Sequence, residues 1–427
     1  MRYRKGCYAI LLITALLLNE PQLFKTAAVK RPPSSPFYNG EHTNAEGLSC
    51  SYNIKYDLNG GSVKTALPSN YIIEELPLPL EIPHKTGYNF AGWYTDEAYR
   101  NKIKQITTDE LGNLSLHAKW TKEINSFRNV EHYSYISDNE NTAKLKDCAY
   151  SFVENIDIPG MPSTREYDYM KNLVTTEEQC PQGICMTEDF CLITAYCSND
   201  SENLGSLYVF DRDNGEYLVT LGMKKNSHLG GLTFDGRNLW ICHSDTRTLE
   251  RLNYDYIKRI ALSRPKMFVD ATGMFKEYRV SNMPSAITYY DGLLWVATHN
   301  AYFKSTMISY KYLDGGLVEQ ERYQIPEKVQ GITFDEEGHV YLSTSFGRRK
   351  SSYIRMYESI TALDDKPKKP AYNIELPPCS EAIIYQNKRL YVLFESASLK
   401  YFEGTDGRGM SISPIDKILI VEADGFF

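Results

Sequence analysis

Residues 230–244 read GGLTFDGRNLWICHS, and four other stretches repeat their pattern: QGICMTEDFCLITAY (182–196), SAITYYDGLLWVATH (285–299), QGITFDEEGHVYLSTS (330–345) and EAIIYQNKRLYVLFE (381–395). Each runs from a small residue into an apolar strand, a polar turn and a second apolar strand. The small residues are Gly183, Gly231, Ala286, Gly331 and Ala382, spaced 48, 55, 45 and 51 apart. A third strand follows in SLYVFDRDNGEYLVTL (206–221), TLERLNYDYIKRIAL (248–262), STMISYKYLDGGLVEQERYQI (305–325) and SYIRMYESI (352–360). A fourth is read in YLVTL, IKRIAL, ERYQI and YNIEL. Four strands in each unit of roughly 40–50 residues mark a propeller blade. The small residue opens the innermost strand, where backbones crowd the central channel.

The expected fold is therefore mainly β, with a five-bladed β-propeller over residues 148–427. The last unit ends at KILIVEAD (417–424), so SFVENIDIP (151–159) is expected to supply its outer strand. A six-bladed ring, with a degenerate blade within 130–180, is the alternative. Trp240 and Trp295 hold equivalent second-strand positions and are expected in the core between blades.

Ahead of the repeats lies a different kind of sequence. Arg2, Arg4 and Lys5 precede a short apolar run, Tyr8 to Leu18. It is shorter than the roughly 20 residues a membrane span needs. Residues 1–28 are expected to be a signal peptide cut near Thr26-Ala27-Ala28, with an uncleaved anchor as the alternative. The protein is then secreted or at the cell surface, with no further span. Residues 29–49 are Pro- and Ser-rich and read as a linker, and the polar stretch 122–147 reads as a second one. Of nine cysteines, eight follow the signal segment. Export permits disulfides among them, and burial as small apolar side chains is the other reading.

Residues 50–121 form a compact unit of their own. YDLNGG (56–61), LPLP (76–79), KTGYNFAGWYTD (85–96), Ile103, Ile106 and NLSLHAKW (113–120) follow in order. This series resembles the Listeria–Bacteroides repeat, the B-repeat type module of internalins. The resemblance implies a small β-grasp-like fold of bacterial surface proteins, without catalysis. Its Trp93, Tyr94 and Trp120 are expected in the core. The segments PQGI…TAY and HLGGLTFDGRNLW resemble secreted bacterial propellers of unassigned function and, more loosely, lactonase and NHL-repeat propellers. That resemblance implies a fold and no substrate.

The net charge of −7 argues against a nucleic-acid partner. No G-x-S-x-G, HExxH, P-loop or dinucleotide fingerprint is present. DRDNG (211–215) lacks the downstream Glu of an EF-hand and reads as a turn. Chemistry is instead sought where blade topology brings residues together. Starts of inner strands and ends of second strands should meet at one mouth of the channel. Gln182, His228, Gln330 and Glu381 fall at the starts, and Tyr196, His243, His299 and Glu395 at the ends. Arg348 follows the fourth unit's second strand and should rim the same mouth. Imidazoles and carboxylates together can bind ligands or run acid–base chemistry. No metal-ligand set and no cofactor is assigned. The expected role is a monomeric extracellular or cell-surface binding or adhesion protein for a glycan, peptide or envelope component. A secreted hydrolase or lyase acting on a sugar or lactone is the alternative.

Overall fold

The computed structural model describes residues 51–161, except 64, 86–87 and 123–126, then Thr164, then 179–426, except 199–203, 226–227, 264–265 and 425. The expected signal peptide, the 29–49 linker and Cys50 lie outside the described residues. The chain divides into two compact units between Trp120 and Thr121.

The first unit is a five-stranded mixed sheet. Its order is Asn70–Ile72, Ser51–Asp57, Leu114–Lys122, Tyr88–Tyr94 and Lys102–Ile103. Ser51–Asp57 and Leu114–Lys122 run parallel, pairing Ile54 with Leu114 and Tyr56 with Leu116. Alternation along the strands sends Ile54, Trp93, Leu116 and Ala118 to one buried face. Trp93 is 2% exposed, and Trp120 packs edge-on against Phe90 while donating to the Leu58 carbonyl. Trp93 and Tyr94 are buried, as the sequence suggested, while Trp120 is half-buried against that core.

Among the described residues, the second unit holds five sheets, here numbered I to V in chain order. Sheet I holds Gln179–Met186, Phe190–Cys197, Leu204–Asp211 and Tyr217–Lys225, with Phe268–Asp270 added at its edge. Sheet II holds Leu232–Phe234, Asn238–His243, Thr248–Asn253 and Lys276–Arg279. Sheet III holds Ala286–Tyr290, Leu293–Ala297, Ser305–Leu313 and Gly316–Ile325. Sheet IV holds Val329–Phe334, Val340–Thr344, Ser352–Tyr357 and Tyr372–Leu376. Sheet V holds Ser380–Gln386, Arg389–Phe394 and Leu419–Glu422, and its outer strand is Tyr150–Phe152. The first strand of each sheet neighbours that of the next, and the first strand of sheet I neighbours that of sheet V. The arrangement is a closed, propeller-like ring.

The small residues have a steric reason. A Cβ on Gly331 would sit 2.6 Å from the backbone nitrogen of Ile383 in the neighbouring sheet. Between sheets II and III, Trp240 is fully buried against Tyr278 and Tyr312. Trp295 repeats this against Phe334 of sheet IV.

Two expectations need correction. Residues 127–147 are not a free linker. Thr142–Lys144 adds to the edge of sheet IV in parallel, Tyr133 is buried, and the Ile136 and Ser137 amides both donate to Glu375. Three residues are too few to show a strand period. IKRIAL is also not a strand: Tyr254–Ser263 is an α-helix, with Tyr254, Ile257 and Ala261 buried at helical spacing. The Asn253 side chain accepts from the Asp255 amide at its start. The fourth strand of sheet II is Lys276–Arg279 instead. Among the described residues, Cys148, Cys180, Cys185, Cys191, Cys242 and Cys379 form no disulfide, and all of these but Cys148 are buried. No helix among the described residues is long and apolar enough to cross a membrane.

Candidate functional site

Strand register decides which side chains reach the mouth. Gly183 pairs with Thr194, Ala286 with Ala297 and Gly331 with Ser343. Two residues beyond those partners stand Tyr196, His299 and Ser345. The same count in sheets II and V gives Ser244 and Glu395. His243 therefore stands one residue short, and a one-residue shift turns a strand side chain to the other face. It is 2% exposed, with Thr246 at 3.0 Å from Nδ1, and it feels Lys224 of sheet I and Glu277. Burial first, then Lys224, lowers its pKa. His243 is not part of the mouth.

The structure brings the other expected residues together. Glu381 and Glu395 are 3% and 6% exposed, and their carboxyls are hydrogen-bonded to each other. Gln330 Nε2 donates to Glu381 Oε1 at 2.9 Å, and Gln182 Nε2 donates to Glu395 Oε2 at 3.0 Å. Tyr401 also bonds to Glu395. Burial raises both carboxyls, Glu381 far above the usual carboxylate range. Donors from Tyr401, Glu381 and Gln182, with the Lys400 charge, hold Glu395 lower. Two carboxyls in contact do not both ionise readily, which adds to the effect of burial on each.

Around the pair lie further polar groups. Lys400 Nζ donates to the Tyr196 hydroxyl at 2.6 Å. The His228 ring lies tilted against Tyr196, with 4.5 Å between centroids. His228 is an exposed residue, yet desolvation by neighbouring protein first, and Lys400 second, lower its imidazole pKa. His299 Nδ1 donates to the Val329 carbonyl at 3.1 Å. Arg348 is buried, donates to Asp406 Oδ2 at 2.6 Å and to the Gly409 carbonyl, and lies 4.5 Å over the Tyr401 ring. Burial pushes the Cys180 thiol up to about 12 and Cys379 well above its usual range. Both thiols stay protonated and unreactive.

These groups open on a cavity of about 510 Å³. Its lining includes Glu381 and Glu395 at the floor and five cationic side chains, Arg348, Arg349, Lys350, Lys400 and Arg408. Phe346 also lines it, and Tyr302 (73% exposed) meets Phe346 edge-on at 5.7 Å. Lys400, Tyr401, Asp406 and Arg408 were not foreseen. They sit on residues 395–418, an insertion between the second and third strands of sheet V that includes the short helix Leu399–Phe402. Its length, and its start at the mouth end of a second strand, were the available signal.

Comparison with known proteins bears mostly on the first unit. Residues 52–119 match the Listeria-Bacteroides repeat domain. A protein of Evansella cellulosilytica described as a Gly-rich membrane protein is 35% identical over 78 residues, 18% of this chain. The chain spans only 8% of that protein's length. Among solved structures, Myxococcus xanthus glutaminyl cyclase aligns with a TM-score of 0.37 at 9% identity, covering 58% of this chain and 91% of that one. A chain of the nidogen/laminin complex aligns with a TM-score of 0.33 at 13% identity, covering 52% of this chain and 74% of that one.

Proposed function

We propose that this is a secreted or cell-surface binding protein: a β-grasp-like Listeria–Bacteroides module followed in the chain by a five-bladed propeller whose mouth holds an acidic glycan. The observation that carries this reading is the cavity itself. Five cationic side chains line it against three carboxyls, Glu381, Glu395 and the Asp406 paired with Arg348, an excess of positive groups at one opening of a chain of net charge −7. Arginine and lysine clusters of this kind suit carboxylate-bearing ligands. The aromatic rim of Tyr302 and Phe346 suits the apolar face of a sugar ring, as expected for a pocket combining apolar walls with a few convergent polar groups. The ring of five sheets supports the blade count, and the parallel strand pair of the first unit supports the β-grasp-like assignment. The match at residues 52–119, the Gly-rich membrane protein and the basic-then-apolar N-terminus support a surface location.

The test is a binding screen of the purified chain against acidic and neutral oligosaccharides. Oligogalacturonides or other polyuronates should bind, and Arg349→Glu with Lys350→Glu should abolish the signal. Preferential binding of neutral sugars, insensitive to that charge reversal, would refute the reading.

A further inference from the structure

A mouth that only held an anion would have no use for two buried carboxyls in contact. Like charges at that distance cannot both ionise, and burial makes each costly. Yet Glu381 and Glu395 lie together on the cavity floor, each held by its own glutamine amide. Their contact also limits the chemistry. Paired carboxyls that cleave glycosidic bonds stand about 5–5.5 Å apart, or roughly 6.5–9.5 Å when water attacks between them. Carboxyls bonded to each other and sharing a proton instead match the dyad that activates water against a carbonyl.

We propose that Glu381 and Glu395 form an acid–base pair that hydrolyses a carboxylic ester carried by an acidic glycan held in the mouth. This proposal rests on the binding reading above. Glu395, the carboxylate, takes a proton from water as the water oxygen bonds to the acyl carbon. Glu381, the acid, passes its proton to the carbonyl oxygen. The tetrahedral adduct collapses as the bond from carbon to the sugar oxygen breaks. The proton on Glu395 goes to the departing alkoxide, and a hydroxyl proton of the adduct returns to Glu381. One ester and one water give one carboxylic acid and one alcohol, and the pair is regenerated. Tyr401, through its bond to Glu395, is a positioning residue.

The experiment uses the full chain and two probes. One is 4-nitrophenyl hydrogen succinate, an anionic ester read by nitrophenolate release. The other is an O-acetylated oligogalacturonide, read by acetate release. The expected result is turnover of both, with kcat falling about 100-fold or more in Glu395→Gln and in Glu381→Gln. Binding of the deacetylated oligogalacturonide should stay within about threefold in both variants, since the cationic rim is intact. Should either variant fail to fold, Tyr401→Phe supplies the second arm: kcat falls about tenfold while KM holds, as for loss of an interaction that matters only in the transition state. Full activity in Glu395→Gln overturns the assignment. So does a wild-type protein that binds the deacetylated oligogalacturonide but releases neither product above the buffer rate; the binding reading then survives. Absence of both binding and hydrolysis overturns both readings.

Discussion

Trp240→Ala should be among the most destabilising single changes in the second unit. The side chain is 0% exposed and sits between sheets II and III. Its rings meet Tyr278 at 5.3 Å and Tyr312 at 5.2 Å, with the Arg251 guanidinium 6.0 Å above. A fully buried indole removes about 200–250 Å² from water. At roughly 25 cal/mol per Å² that is about 5–6 kcal/mol, of which alanine recovers about one. Trp240 Nε1 also donates to Asp235 Oδ2 at 2.6 Å, and losing it leaves a part-buried carboxylate one donor short. Measured truncations of this kind cost about 3–5 kcal/mol. A unit of roughly 300 residues has an unfolding entropy of about 0.6 kcal/mol per kelvin, so the melting temperature should fall by about 5–8 °C. Calorimetry and urea unfolding, followed by loss of the strand signal, read this directly. A fall under about 1 kcal/mol, the range of ordinary surface changes, would refute the packing between sheets II and III described here.

Other expectations follow. Gly331→Val should cost about 2 kcal/mol or more by denaturant unfolding, because its side chain would strike the backbone of residues 381–383; a neutral result would contradict the crowded inner ring. Deleting residues 148–160 should remove the outer strand of sheet V and the Asp157 partner of Lys417, and the product should be aggregated or molten; a normal melting transition would argue against this closure. Burial, with Glu277 next, raises Glu250 to about 7 from its ordinary value of 4.5. The folded state then holds its proton more tightly than the unfolded chain. Stability from this group is complete below pH 4.5 and is lost as pH rises towards 7, by about 3 kcal/mol. Glu250→Gln should flatten that slope, and an unchanged profile in urea titrations from pH 4.5 to 7.5 would show the carboxyl is not buried uncharged.

The repeated strand pairs were legible because three constraints coincide in each: a small residue against the neighbouring backbone, two alternating apolar strands and a tight polar turn. The closing strand near residue 151 followed from an incomplete last unit. Of the residues that topology placed at one mouth, His299, Gln330, Arg348, Glu381 and Glu395 line one cavity, with Gln182 bonded to Glu395, Tyr196 to Lys400, and His228 against Tyr196. What failed did so for local reasons. His243 was lost to a one-residue count, since a strand's two faces differ by a single position. The helix Tyr254–Ser263 was read as strand because Ile and Tyr favour both states at short range, while its spacing at 254, 257 and 261 favours only a helix. Lys400 and Tyr401 belong to an insertion with no counterpart in the other units, so the repeat gave no register for them.

The most direct test of the account is calorimetric titration of a trigalacturonate into the full chain, beside its fully methyl-esterified form, at low and moderate salt. The account predicts saturable binding of the acid form that weakens as salt rises, little binding of the neutral ester, and loss of binding in the Arg349→Glu, Lys350→Glu double variant. Equal binding of both sugars, or binding of the acid form unchanged by the charge reversal, would contradict an anion-holding mouth.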